Sequence, residues 1–262
     1  MFVHAQAKSI PVRKRPPLAL VVTDPAPEAV GAEVDWSSWY LTDEEDVGSS
    51  CEQTFITEDF LSSLRELAYL EGWVNRLCST DQFFAWRPDE PLVRVSPDIY
   101  VLDDPPPPPR PKSWQTWLPG HRPPRFAVEI VSDDWLKDYE QNPRKYLQLG
   151  CPELVIFDPE AVLGLGQGQG RVPLQVYRRD ADGAYVRVYA GPGPAHSKEL
   201  NMWLVARREG AVARLRLSYD EEGTRIVPTE AEARRAEAEA RKAAEARIQE
   251  LEEKLRKAGG KG

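Results

Sequence analysis

The sequence predicts an α/β core with a mixed sheet flanked by helices, preceded by an extended front and closed by a charged helix. Three observations predict it. Short apolar runs of strand length fill the middle of the chain, two stretches with helical spacing stand among them, and an Ala/Glu/Arg/Lys run ends it.

Residues 1–50 mix Pro11, Pro16, Pro17, Pro25 and Pro27 with a basic tract and the acidic run Asp43 to Asp46, and few periodic apolar positions occur. Such a segment reads as a poorly ordered lead-in, with a docking arm as the alternative. Thr57 then opens a helix in which Phe60, Leu64, Leu67 and Leu70 share a face, ending near Gly72. Strands are expected at Gln82–Trp86, Val93–Leu102, Phe126–Val131 and Leu154–Phe157, and Leu174–Arg178 with Ala184–Tyr189 reads as a hairpin. A second helix over Lys137–Leu149, closed by Gly150, falls between two strands, the order of an α/β crossover. Pro105–Pro109 reads as a stiff loop, and the alternating Gly164, Gly166, Gly168 and Gly170 precede a strand, not a helix, unlike a phosphate loop.

Pro228-Thr229-Glu230-Ala231-Glu232 carries a capping-box pattern, and Ala244, Ile248, Leu251, Leu255 and Ala258 follow at coiled-coil spacing. The tail is either a solvated single helix or a surface for self-association or a partner, with a homo-oligomer through residues 229–258 as one outcome. These limits divide the chain into 1–50, a core at 51–228 and a helix at 229–262.

Composition excludes several classes. With 34 Lys plus Arg against 42 Asp plus Glu, the net charge of −8 argues against coating nucleic acid by bulk positive charge. No apolar stretch approaches the roughly 18 to 20 residues that span a bilayer, and Arg13–Arg15 is followed by too short an apolar run for a secretory signal. An unsecreted, cytoplasmic protein is expected. Cys51, Cys78 and Cys151 form no Cys-x-x-Cys pair, and three scattered histidines give a zinc site or a triad little material, with Cys151 as a remote candidate nucleophile.

The chemistry points elsewhere. Asp98 in Ser96-Pro97-Asp98-Ile99 and Glu129 in Phe126-Ala127-Val128-Glu129-Ile130 are lone carboxylates among apolar strand residues. If Phe126, Val128 and Ile130 face one way, Glu129 shares the other face with Ala127 and Val131, where a charge needs a partner. Two carboxylates on neighbouring strands with a backbone carbonyl suit Mg²⁺, which keeps waters for a substrate phosphate. Lys137, eight residues after Glu129, is within loop reach as a water-orienting cation. Exposed strand-end carboxylates making ordinary hydrogen bonds are the plain alternative.

Ser-Pro-Asp at 96–98, Val-Glu-Ile-Val-Ser at 128–132, Lys-Asp at 137–138, Tyr146, Gly150, Glu153 and Ile-Phe-Asp-Pro-Glu at 156–160 resemble the Uma-two (Uma2) family of restriction endonucleases, in the PD-(D/E)XK nuclease superfamily. The resemblance implies a restriction-endonuclease-like fold, DNA as partner, and Mg²⁺ or Mn²⁺ held by Asp98, Glu129 and the Ile130 carbonyl. It departs at Val131, where the superfamily motif has lysine, and at Asn142, where many relatives have a helix lysine. Lys137 is then the candidate cation and Lys145 the second, with Asp138, Asn142 and Glu66 as supporting polar groups. Arg122, Arg125, Arg144 and Lys145 are positioned to meet phosphates. The expected function is metal-dependent hydrolysis of DNA phosphodiesters; the alternative is a catalytically degenerate relative that binds DNA or protein and oligomerises through its terminal helix.

Overall fold

The computed structural model describes residues 51–111, 113–132, 135–165 and 170–259. The expectations for residues 1–50, and for Gly166 and Gly168, lie outside the described residues.

Helix α1 (Cys51–Leu70) begins six residues before the expected Thr57 and buries Ile56, Phe60, Leu61, Leu64 and Leu67, whereas Leu70 is exposed. Six strands follow: β1 (Arg76–Ser79), β2 (Phe83–Ala85), β3 (Arg94–Val95), β4 (Ile99–Asp103), β5 (Ser113–Gln115) and β6 (Phe126–Ile130). The expected run Val93–Leu102 is thus two strands. Pro97, which has no N–H for a ladder, separates them, and Asp98 stands at the break. A π-helical turn at Lys137–Gln141 leads into helix α2 (Asn142–Leu149), then strand β7 (Glu153–Phe157) and the short helix α3 (Pro159–Leu163). One continuous helix was expected over 137–149. Pro143 cannot donate to the preceding turn, and the Asn142 N–H reaches back to the Lys137 carbonyl in the wider π pattern. Gly150 closes α2 at φ +87°, a left-handed conformation that a side chain would oppose.

Strands β8 (Leu174–Arg179) and β9 (Tyr185–Gly191) pair antiparallel, as the hairpin reading expected. After them come β10 (Ala195–Ser197), β11 (Met202–Glu209) and β12 (Val212–Ser218), and finally helix α4 (Glu230–Gly259). The central mixed sheet runs β1-β4-β6-β7-β8-β9, with β6 and β7 parallel and joined through the π turn and α2. On one face Phe126, Val128 and Ile130 pack with α1 and the β10-β11-β12 sheet; on the other, Ala127 and Val131 pack with Tyr146 and Leu149 of α2 and with Phe84, Val95 and Trp114 of the β3-β2-β5 sheet. That alternation matches the period of a strand. Among the described residues no helix is long and apolar enough to cross a membrane.

Candidate active site at the ends of β4 and β6

Strands β4 and β6 pair antiparallel with Ile99 opposite Val128, so one further step brings Asp98 beside Glu129. The charge of Asp98 acts on Glu129, so the two carboxylates lie within electrostatic reach of each other. The Ile130 N–H donates to Asp98 Oδ2 at 2.6 Å, which ties the loop after Pro97 to the end of β6. The Tyr146 hydroxyl, fully buried on α2, donates to Glu129 Oε1 and fixes the direction of that carboxylate. These bonds engage one oxygen of each carboxylate, Asp98 Oδ2 and Glu129 Oε1.

The electrostatics follow from this geometry. Burial pushes Asp98 up to about 7, with repulsion from Asp81 and Asp138 adding, while the Ile130 N–H and the Lys137 charge pull it down. Burial first and Asp98 second raise Glu129 well above the ordinary carboxylate range; Tyr146 and Lys137 oppose the rise. Two neighbouring carboxylates that resist ionisation are a site that favours a cation. Among the described residues no group of three or more His, Cys, Asp or Glu side chains is arranged to hold a metal ion. Mg²⁺ commonly binds through one or two carboxylates and otherwise keeps water. At that carbonyl the Gln53 amide of α1 makes a long contact of 3.5 Å.

Asp98 also sets a pH dependence. Between an ordinary value of 3.8 and the folded value of about 7, the folded chain holds more protons than the unfolded one, so this residue makes stability fall as pH rises through that window. Without metal, Asp98→Asn therefore gains on the wild type as pH increases from about 4 to about 7, at a rate approaching 1.4 kcal/mol per unit. Thermal melts across that range check it, and a difference that stays flat rules the coupling out.

The other expected residues distribute unevenly. Lys137 acts electrostatically on both carboxylates. Asp138 is buried and accepts from the Ser132 N–H (2.8 Å), the Ser132 hydroxyl (3.0 Å) and the Asn142 amide (3.1 Å), so it fastens the π turn to the end of β6. Asn142 and Lys145 are buried on α2. Glu66 is not brought to the cluster: α1 presents its first turns to Ile130, and Glu66 lies 13 residues beyond Gln53, about 20 Å along the axis, where its charge acts on Tyr219. Arg125 is held by Asp103 and Glu199, and Arg122 lies 3.6 Å from Asp104. Cys151 is fully buried and its thiol is pushed up to about 12, which leaves no thiolate for nucleophilic attack at neutral pH.

Sequence reasoning assigned no role to Ser132, Gln53 or a buried node behind the site. In that node Asp158, at the end of β7, accepts from Arg171 Nε (2.7 Å) and Nη2 (2.8 Å) and from the Tyr139 hydroxyl (2.8 Å) of the π turn. It also caps α3 through the Ala161 N–H. The lone Asp in an otherwise apolar Ile156-Phe157-Asp158 run was the signal that could have found it.

A family model named Uma2 and described as "Putative restriction endonuclease" matches residues 64–203, just over half of the chain. Among solved structures the chain is similar to a putative nuclease belonging to DUF820 from Anabaena variabilis, at 13% sequence identity and a TM-score of 0.39, covering 60% of this chain and 78% of that one. No curated protein matches.

Proposed function

Since this chain belongs to the Uma2 family, we propose that it is a metal-dependent endonuclease that hydrolyses DNA phosphodiesters. The observation that carries this reading is the pairing of Asp98 with Glu129 at the ends of β4 and β6, one oxygen of each carboxylate fixed by the Ile130 N–H or the Tyr146 hydroxyl, under the charge of Lys137. Asp98, Glu129 and the Ile130 carbonyl would hold Mg²⁺ or Mn²⁺. When bound, such an ion polarises a phosphoryl oxygen and acidifies a water. The chain's own groups do the rest. Tyr146 holds Glu129 in one orientation, the Ile130 N–H holds Asp98, and Asp138 anchors the turn from which Lys137 orients the attacking water and stabilises the charge that develops on phosphate. Three free cysteines support a cytoplasmic setting.

The test is cleavage of supercoiled plasmid and single-stranded DNA with Mg²⁺, with Mn²⁺ and with chelator, comparing wild type with Asp98→Asn and Lys137→Ala purified identically. Wild type alone should cleave at the full rate and only with metal. Lys137→Ala is expected to lose about 10²- to 10³-fold in rate, the scale for removing one charge-stabilising donor, while keeping its metal-induced rise in melting temperature. Equal activity in all three proteins would remove the site from the mechanism.

Val131 favours a second reading. It is buried on the face that Glu129 shares, so the position of the superfamily lysine is filled by an apolar side chain packed into the core. A catalytically degenerate module that binds DNA or a protein partner and oligomerises through its terminal helix would bind DNA without cutting it under any metal condition.

A further inference from the structure

Among the described residues, the terminal helix is tied to the core at its start. The Thr229 hydroxyl accepts from the Glu232 N–H at 3.2 Å, and Glu232 Oε2 accepts from the Thr229 N–H at 2.7 Å, completing the expected capping box. The Glu230 N–H donates to the Ser62 hydroxyl, and Arg216 grips Glu232 at 2.6 Å. From 234 to 257 every residue is exposed, about 36 Å of helix standing clear of the core.

That projecting segment carries an apolar seam. Ile248, Leu251 and Leu255 are 55%, 45% and 72% exposed, far more than large aliphatic side chains usually are. Ion pairs Arg241–Glu245, Arg247–Glu250, Lys254–Glu250 and Lys257–Glu253 support the helix along its surface, yet they leave the seam uncovered. The spacing assigns Ile248 and Leu255 to heptad position a, and Ala244 and Leu251 to position d. The Ile248–Leu251 layer, a β-branched residue at a with leucine at d, is the combination that favours two parallel strands.

Charge decides what covers it and in which direction. Arg247 and Lys254 occupy position g, and Glu245 and Glu252 occupy position e. Two copies running parallel place Arg247 against the partner's Glu252, an attractive g-to-e contact made twice by symmetry. An antiparallel pair would set g against g and e against e, bringing Arg247 and Lys254 against cations and Glu245 and Glu252 against carboxylates. Earlier a and d positions are Arg234, Glu237 and Arg241, so the seam does not extend back toward the core.

We infer that residues 244–258 form a parallel, in-register, two-stranded coiled coil with a second copy of this chain. The exposed seam is its core, and Arg247 with the partner's Glu252 sets its direction. The two core domains then lie at the same end of the coil, each set back from it by the polar first turns of α4. With only about two heptads of contact, the pair forms by mass action and dissociates on dilution.

Sedimentation of the full chain tests this by mass alone, whether or not the protein cleaves DNA. Wild type should pass from monomer to dimer as concentration rises toward about 100 µM, well above a micromolar Kd. Leu251→Asp should remain monomeric over the same range with an unchanged core melting temperature, because residue 251 is exposed on the projecting part of the helix. Cys51 is exposed, so a Cys51→Ser background is used for Ile248→Cys, whose thiols face each other across position a and should oxidise to an intermolecular disulfide. Wild type that stays monomeric at about 100 µM, or a dimer that survives Leu251→Asp, overturns the interface. An Ile248→Cys dimer that fails to cross-link overturns the parallel register.

Discussion

Glu129→Gln is expected to abolish metal-dependent cleavage, by at least about 10³-fold, while making the metal-free protein more heat-stable at neutral pH. The two effects have one cause. At neutral pH the Glu129 carboxylate is resisted by burial and by Asp98, which costs the folded state stability until a cation sits between them. Glutamine keeps the volume and still offers an oxygen to the Tyr146 hydroxyl, so packing and that hydrogen bond survive. It removes the charge, and with it both the repulsion and the attraction for metal. If Mg²⁺ binds there as proposed, it should at about ten times its Kd stabilise the wild type by about 1.4 kcal/mol, a rise of about 3 to 5 °C for a domain of this size. Glu129→Gln should show none of that rise while starting from a higher metal-free melting temperature. Paired melts with Mg²⁺ and with chelator, run beside the plasmid assay, read both parts. A variant that still responds to Mg²⁺ like the wild type would mean that the ion binds elsewhere.

Asp158→Ala should cost about 3 to 5 kcal/mol, the largest single effect on stability expected here. Asp158 is fully buried, and the Arg171 side chain that it holds is 5% exposed, so its removal strands a guanidinium whose remaining anionic contact is the exposed Glu160. Loss of the α3 cap adds about 1 kcal/mol. At about 2 to 4 °C per kcal/mol, the melting temperature should fall by roughly 10 °C or more. The Tyr139 hydroxyl loses its Asp158 acceptor and keeps its contacts with the Val172 backbone and Gln175, so the π turn that carries Lys137 should open more often. Faster amide exchange over residues 137–142 would report this directly. Asp158→Ala with Arg171→Met should recover much of the loss, because the stranded charge is then gone. A fall below about 1 kcal/mol in the single variant would show that Arg171 finds adequate solvation without Asp158.

Patterns set by the local chain were legible in residue order. Glu129 facing away from Phe126, Val128 and Ile130, Gly150 ending a helix, the Thr229 capping box and the β8-β9 hairpin all depend on groups a few residues apart, and strand or helix periodicity carries them. The family membership was legible for a related reason: its motif is a short order of residues, read directly along the chain. The break at Pro97 and the π turn before Pro143 were local as well, yet an apolar run and a helical spacing masked what proline does to a hydrogen-bond ladder.

What the sequence determined by itself is the kind of chemistry present: two carboxylates placed where charge is costly, a nearby lysine, and a terminal helix whose apolar and charged positions repeat with a heptad. Tertiary structure decided which of these meet. The pairing of β4 with β6 sets Asp98 beside Glu129, and the direction of α1 brings Gln53 and not Glu66 toward Ile130. The meeting of Asp158, Arg171 and Tyr139, and the β10-β11-β12 sheet that covers α1, likewise arise from contacts between distant segments. Periodicity reports which face of an element is buried; only the packing of whole elements fixes what lies against that face, and a shared site is made of such contacts.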